Sequence, residues 1–530
     1  MKKYFFNILT LVIVVATISS CVKKANEWDV EPNYARLFKT LVFNTSQISS
    51  TEVEIRYNQI VSAHKYIFEF SKDSLEFNEI VRTVEIFADT LTPFATSTTP
   101  SKVEYRTLFS ELDGNSTYSV RMKGIDTISG LESSYSQFSF QTSAEQLFTN
   151  SEVFTDRIVM SWLPSDRVTH ISVYDAISGE EIQNNVLSST DKVQGSLELT
   201  NLNPGTNYRV VIYNETIERG VRILKTAGLQ GGVSLVVNPG DDIPALLSAA
   251  IAEGKPNVIL LFKGGETYNL SALTLPAGLS NISFTGESNA SGDKPNININ
   301  SLKLSDPIFG KVLIENVAIT GAGGDFIDIN TNGAEIEEYA FINSVITNYR
   351  AGIRLRNNSI KLKSIIIDDC IIHNLVSGYG LVNIGGSSPE VDLISIKNST
   401  ITDITTQLMD VRTKVKEIFV GNCTFYNENA GITQFFRFDT NNLPLALTIE
   451  SNIISGTNSG GKINATSYDH GTSALPVTFA GSYRTNEMQI DRASRDFSGI
   501  TIFPGAASEL FVDPANRDFS IKPGANFSGR

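Results

Sequence analysis

The chain has 530 residues, 41% of them hydrophobic, and a formal net charge of −14. That length calls for three or four domains, each with enough apolar residues for its own core. The acidic balance excludes a nucleic-acid partner, which is met by a basic excess, and three cysteines exclude a disulfide-stapled scaffold and a multi-cysteine zinc site. Residues 1–20 open on Lys2 and Lys3, run through an apolar stretch from Phe5 to Ala16, and end on Ile18-Ser19-Ser20 before Cys21. A charged start, a short apolar core and small residues at the cut describe an export signal, and the apolar run is too short for a membrane helix. Losing Lys2 and Lys3 with the signal makes the remaining chain more acidic still.

A cysteine directly after those small residues resembles the lipobox of bacterial lipoproteins. The resemblance implies that Cys21 is acylated and becomes the amino terminus, so that the chain meets a membrane through its lipid anchor alone. Residues 21–36 hold Lys23, Lys24, Glu27, Asp29, Glu31 and Pro32 and read as a tether.

Residues 37–143 and 144–231 are two modules of short alternating strands, such as Glu52-Val53-Glu54-Ile55-Arg56-Tyr57 in the first and Ile158-Val159-Met160-Ser161-Trp162 in the second. The phrase Leu112-Asp113-Gly114-Asn115-Ser116-Thr117-Tyr118 returns as Leu202-Asn203-Pro204-Gly205-Thr206-Asn207-Tyr208. A leucine, a turn and a strand-opening tyrosine resemble fibronectin type III modules, and imply two β-sandwiches whose tyrosine hydroxyls cap nearby backbone.

Residues 232–530 begin with a helix predicted over 242–253: Asp242 before Pro244, apolar spacing of three and four, and Gly254 at the end. The strand Val258-Ile259-Leu260-Leu261-Phe262 and a Gly-Gly turn follow. A repeat of the form apolar–x–Asn–x–x–apolar then puts its third position at Asn316, Asn343, Asp369, Asn398, Asn422 and Ser451, with a weaker forerunner at Gly286. A period in the twenties with no helical stretch between strands is a solenoid signature. Each period is one coil, stacked at about the 4.8 Å strand spacing. Asn tolerates the left-handed backbone of a sharp bend, and stacked amides can bond along the axis. Asn316, Asn343, Asp369, Asn398 and Asn422 are thus a structural ladder. Cys370 and Cys423 fall at equivalent places two coils apart, beyond disulfide reach, and read as small buried fillers.

The cap helix, the strand and the coils together resemble pectate-lyase-like proteins, which implies a right-handed parallel β-helix. The whole sequence, from lipoprotein signal through fibronectin-type modules to Leu510-Phe511-Val512-Asp513-Pro514, looks like proteins from polysaccharide-uptake gene clusters of Bacteroides-type gut bacteria. That resemblance implies work at the outer membrane, at the cell surface, on polysaccharide, alongside glycan-transporter components.

About twelve residues after each ladder position lies another strand, whose outward residues align as Lys303, Asp328, Arg354, Asn383, Asp410, Arg437 and, one step along, Asn330, Arg356, Gly385, Arg412, Asp439. Arg354, Arg356, Asp410, Arg412, Arg437 and Asp439 are the candidate glycan-binding residues, because arginine suits bidentate recognition of carboxylates. The competing reading is a self-satisfied charge ladder on a sheet face. Two functions follow. One is binding of a uronate-containing, pectin-like polysaccharide. The other is a polysaccharide lyase, which needs a base and a cation or arginine at the uronate carboxylate. No cofactor or metal is expected for binding, and calcium would enter only with a lyase, held by clustered carboxylates. Asp410 and Asp439 are offset and Asp328 is rungs away, so no such cluster is apparent. His470-Gly471 lacks the partners a hydrolase would need.

Overall fold

A computed structural model describes residues 36–427, 434–439, 441–456, 464–466, 477–488 and 499–525. The export signal, Cys21 and the tether lie outside the described residues, as do His470 and Gly471.

The first module pairs a three-stranded sheet (Phe43–Ile48, Val53–Asn58, Glu104–Phe109) with a four-stranded one in the order Arg82–Phe87, Lys65–Ser71, Thr117–Ile125, Ser136–Gln141. The second repeats this plan. Its sheets run Ser196–Leu199, Ile158–Trp162, Phe148–Val153 and Glu181–Val186, His170–Asp175, Asn207–Asn214, Ile217–Lys225. All pairings are antiparallel, and alternating side chains fill one core between the sheets, with Tyr57, Phe68 and Phe70 in the first and Val173, Val210 and Trp162 in the second. Three strands facing four in this order is the fibronectin type III arrangement.

The tyrosine corners are formed in both modules. Tyr118 Oη accepts from Asp113 N (3.0 Å) and Tyr208 Oη from Asn203 N (2.9 Å). Each corner turn also grips the chain that leaves its module. Asn115 N donates to Ser143 O (2.9 Å), and Gly205 N to Ala227 O (3.1 Å). Gly205 has φ +62°, and a Cβ there would lie 2.4 Å from Gln230 N, so the turn has room only for glycine. Arg167 of the second sandwich bonds Asp113 of the first (2.5 Å), and Gly228 N donates to Glu315 of the solenoid (2.6 Å).

From Val233 to Phe503 the strand pairings are parallel. Asp242 accepts from Ala245 N (3.1 Å) to start the helix Ile243–Ala252, as its sequence predicts, and Ile243, Leu247 and Ala250 join the core of the first coils. Each coil then has three faces. The first is a ten-stranded parallel sheet from Val233–Val237 to Val477–Ala480. The second follows the sharp bend and includes Ala318–Thr320, Thr400–Ile404 and Thr424–Asn427. The third includes Asp325–Ile329, Gln407–Val411 and Gln434–Phe438, while the long strands Val345–Leu355 and Ile371–Ile384 cross from second to third face. Ile, Leu, Val and Phe from all three faces fill one continuous interior. This is the parallel β-solenoid that the period implies.

The ladder positions are left-handed at every bend: φ is 55° at Asn316, 45° at Asn343, 56° at Asp369, 53° at Asn398, 54° at Asn422 and 55° at Ser451. What links them along the axis is mainly backbone. Asn316 N donates to Ile342 O, Asn343 N to Asp368 O, Asp369 N to Lys397 O, Asn398 N to Gly421 O, Asn422 N to Glu450 O and Ser451 N to Ala480 O. Of the expected amide-to-amide chain, the described residues show a 3.4 Å contact from Asn343 to Asn316. Asp369 has no amide to donate, and Asn398 turns to Asp368 instead (2.8 Å). Gly481, φ +58°, continues the column into a coil that the repeat phrase did not reveal.

Just inside the bend, each coil's backbone N–H donates to a small side chain of the next. Val317 N bonds Ser344 Oγ (3.3 Å), Cys370 N bonds Ser399 Oγ (3.0 Å), and Cys423 N bonds Asn452 Oδ1 (2.9 Å). Cys370 and Cys423 are buried in this column, and neither forms a disulfide among the described residues. Burial pushes the Cys370 thiol up to about 12, which suits a filler and not a nucleophile. At the far end, the helix Ala507–Leu510 and the strands Phe511–Asp513 and Asp518–Ile521 fold back over Tyr426 and Ile453 on the second face.

Candidate functional site

The outward column of the third face is in register as its spacing predicts: Asp328 pairs Arg354, Arg354 pairs Asn383, Asn383 pairs Asp410 and Asp410 pairs Arg437. Parallel pairing puts these residues on successive rungs because the inward residues between them, such as Ile327, Ile353, Val382 and Met409, are locked in the core.

The charges on this face are closely paired. Arg356 holds Asp328 in a bidentate grip through Nε (2.9 Å) and Nη2 (2.6 Å). Arg412 grips Asp410 likewise (3.1 and 2.9 Å), and Arg437 approaches the same carboxylate at 3.6 Å. Asn383 also donates to Asp410 (3.3 Å). Upstream, Asp325 takes a bidentate grip from Arg350 (2.8 and 2.6 Å) and a third bond from Arg354 (3.0 Å). Burial raises the Asp325 carboxyl, but the bonds and charges of Arg350 and Arg354 outweigh it and hold the group below the usual carboxylate range.

Two of the candidate contacts are corrected by this geometry. Asp410 points outward in the pleat yet is only 1% exposed, because Arg412 and Arg437 lie over it. Arg354 is likewise covered, its guanidinium stacked 4.1 Å from the ring centroid of Tyr379. Arg356, Arg412 and Arg437 keep side-chain exposures of 42%, 37% and 48% and are the surface of the stripe. Asp439 is half-buried, one rung beyond Arg412, and accepts from Asn441 N (2.8 Å).

Sequence reasoning missed three members. Asp325 and Arg350 stand ahead of the strand that was aligned. Tyr379 rides on a bulge: between the paired positions Tyr349–Leu375 and Ala351–Gly380, one coil has Arg350 alone and the next has residues 376–379. Gly378 and Gly380, both with positive φ, frame the bulge. The pair of glycines around a tyrosine was the available signal. Among the described residues, no three His, Cys, Asp or Glu form a group able to hold a metal ion.

No family model matches the chain, and no curated protein matches it. It is similar to a two-module fibronectin type III segment of chicken tenascin, at 18% identity over 35% of this chain and 99% of that one, with a TM-score of 0.21. It is also similar to the FN1–FN3 domains of chicken CNTN1, at 16% identity over 36% of this chain and 68% of that one, with a TM-score of 0.15.

Proposed function

We propose that this chain is a cell-envelope lipoprotein, anchored through Cys21, that holds a uronate-containing polysaccharide along the third face of the solenoid for a glycan-uptake system. One observation carries the reading. Among the described residues, Arg350, Arg354, Arg356, Arg412 and Arg437 pair with Asp325, Asp328 and Asp410, whose carboxylates form the inner layer, while Asp439 lies near enough to Arg412 to act on its charge. The surface offered to a ligand is therefore cationic on a chain that is acidic as a whole. The grips of Arg356 and Arg412 use Nε and Nη2 and leave Nη1 of each to donate outward. Arg356 and Arg412 stand two rungs apart, about 10 Å, and Arg437 one rung beyond Arg412, so the exposed guanidinium groups can meet carboxylates spaced along a polymer. The long-range field of the protein repels such a ligand, so its retention depends on these short contacts.

The lyase alternative needs a stripe arginine that releases its proton. Donation to the Asp328 and Asp410 carboxylates raises Arg356 and Arg412 above the ordinary guanidinium value, which works against that role. The experiment is retention on native gels cast with a uronate-rich glycan or with a neutral glucan. Each lane is also assayed for unsaturated product. The wild type is expected to be retarded by the uronate glycan alone, and Arg356→Gln with Arg437→Gln to run free. Equal mobility of both proteins in both gels would overturn the reading, and unsaturated product would replace it with the lyase.

A further inference from the structure

One of the two outward columns of the third face loses its side chain between Arg356 and Arg412. Leu355 pairs Ile384 and Ile384 pairs Val411, so Gly385, which follows Ile384, stands on the rung between the two arginines. Neither arginine leans into the gap. Arg356 reaches back one rung to Asp328, and Arg412 turns to Asp410 of its own coil. The result is a notch in the stripe, floored by backbone and two strand spacings wide, about 10 Å.

The fold does not require this glycine. Gly386 beside it is required, because a Cβ there would lie 2.1 Å from the Asn357 side chain. A Cβ on Gly385 would meet nothing closer than Leu355 O at 3.4 Å, an ordinary contact, and its φ lies outside the left-handed region. A longer side chain at 385 would stand in the gap between the guanidinium groups. What glycine supplies here is open space.

The groups around the notch are polar and partly uncommitted. Asn383 Oδ1 lies 3.9 Å from where that Cβ would stand, is buried, and has no hydrogen-bond partner among the described residues, so the floor favours a polar occupant over an apolar one. Tyr379, on the same coil, lays its ring against Arg354 and is close enough to act on the charges of both Arg356 and Arg412. Its side chain is half-buried, and its hydroxyl has no hydrogen-bond partner among the described residues. Arg356 and Arg412 keep Nη1 clear of the grips on their aspartates.

We infer that the Gly385 notch seats one acidic sugar ring of the glycan, its carboxylate against a bordering guanidinium and a ring hydroxyl against Tyr379 Oη. The site rests on the glycan reading above, and adds to it the place where one unit of the chain is held and the residue that admits it. A sugar acid matches every part of the notch: a carboxylate for the cationic border, hydroxyls for Tyr379 and the polar floor, and a rigid ring that gives up little conformational entropy on entering a narrow gap.

Affinity electrophoresis of the whole chain over a series of polygalacturonate concentrations tests this, with thermal unfolding run on each variant. Gly385→Leu fills the notch and leaves every arginine in place. It is expected to raise the apparent Kd at least about tenfold, the worth of one charged hydrogen bond. Gly385→Ala should fall between it and the wild type. Tyr379→Phe keeps the ring on Arg354, so it should leave the melting temperature unchanged and weaken retention about three- to tenfold, the worth of one neutral hydrogen bond. A wild type that is not retarded by polygalacturonate would overturn the glycan reading and the notch together. Retention lost in Arg356→Gln with Arg437→Gln, but undiminished in Gly385→Leu and Tyr379→Phe, would leave the stripe standing and overturn the notch alone. Should Gly385→Leu melt below the wild type, Tyr379→Phe decides, and undiminished retention in it overturns the notch.

Discussion

The first and third faces of the solenoid both carry charge ladders, and the two are built differently. On the first face, Glu335 meets Lys361 (2.7 Å), Glu337 meets Lys363 (2.5 Å) and Asp392 meets Lys416 (2.7 Å). Every one of these side chains is roughly half or more exposed. On the third face the acids are sunk beneath arginines, and Asp410 and Asp325 are nearly sealed. Lysine, a hydrated point charge on a flexible stem, suits a pairing that only keeps a sheet face soluble. Arginine's planar fork can grip a buried carboxylate and still present donors outward. Alternating sign along a ladder is therefore no mark of function by itself. The nearly sealed acids Asp325 and Asp410 distinguish the third face, since the paired acids of the first face keep exposures of 24% or more.

The sharpest way to break this contrast is to strip one acid of its cover. Arg412→Ala with Arg437→Ala leaves Asp410 with Asn383 as its neighbour, and is expected to cost about 3–5 kcal/mol, the loss on stranding a buried charge. A urea titration of the solenoid transition reads it directly. A fall below about 1 kcal/mol would make the third face equivalent to the first. For the same reason a double alanine change at Arg354 and Arg412 would uncover Asp325 and Asp410, and the glutamine variants at Arg356 and Arg437 are the better functional probes.

Acid provides the next test. The Asp325 carboxyl is lowered in the folded protein, so its contribution is fully present above the ordinary value of about 3.9 and is lost as pH falls through its lowered folded value. Asp325→Asn should remove that part of the slope of stability against pH and leave the slope above pH 5 unchanged. An identical acid limb in both proteins would deny the linkage.

Smaller effects are expected from Tyr379→Leu. It removes the ring stacked on Arg350 and Arg354 and should cost about 1 kcal/mol by thermal unfolding. The smallest belongs to the first face. Lys363→Ala should shift stability by less than about 0.5 kcal/mol, and added salt should erase even that.

Much of the solenoid was legible because a bend of fixed conformation demands few residue types. Asn and Asp at 316, 343, 369, 398 and 422 could be read for their tolerance of left-handed backbone, and Gly286 sits in register with them, following Thr285, which pairs Glu315. The coil through Gly481 escaped notice because glycine satisfies the same bend without the telltale amide. The outward column was legible for a similar reason: the core fixes the pleat, and the pleat fixes which residues face out. Depth was not legible. Whether Asp410 meets solvent depends on where Arg412 and Arg437 lay their long side chains, and no period encodes that. Tyr379 was hidden because its bulge exists to break the period.

The backbone bond at each bend reaches the carbonyl that precedes the next bend, and the pattern is the same from Asn316 to Ser451. Nothing in it counts how many coils precede or follow. A tandem duplication of one coil's worth of sequence would find the backbone bond at its bend already met on both sides, with only side-chain packing at the two new junctions left to adjust. The length of the third face is then a heritable variable that can change in single-coil steps, each adding about 4.8 Å. A lineage carrying this fold can match its reach to a longer or shorter ligand by copying existing coils instead of inventing residues.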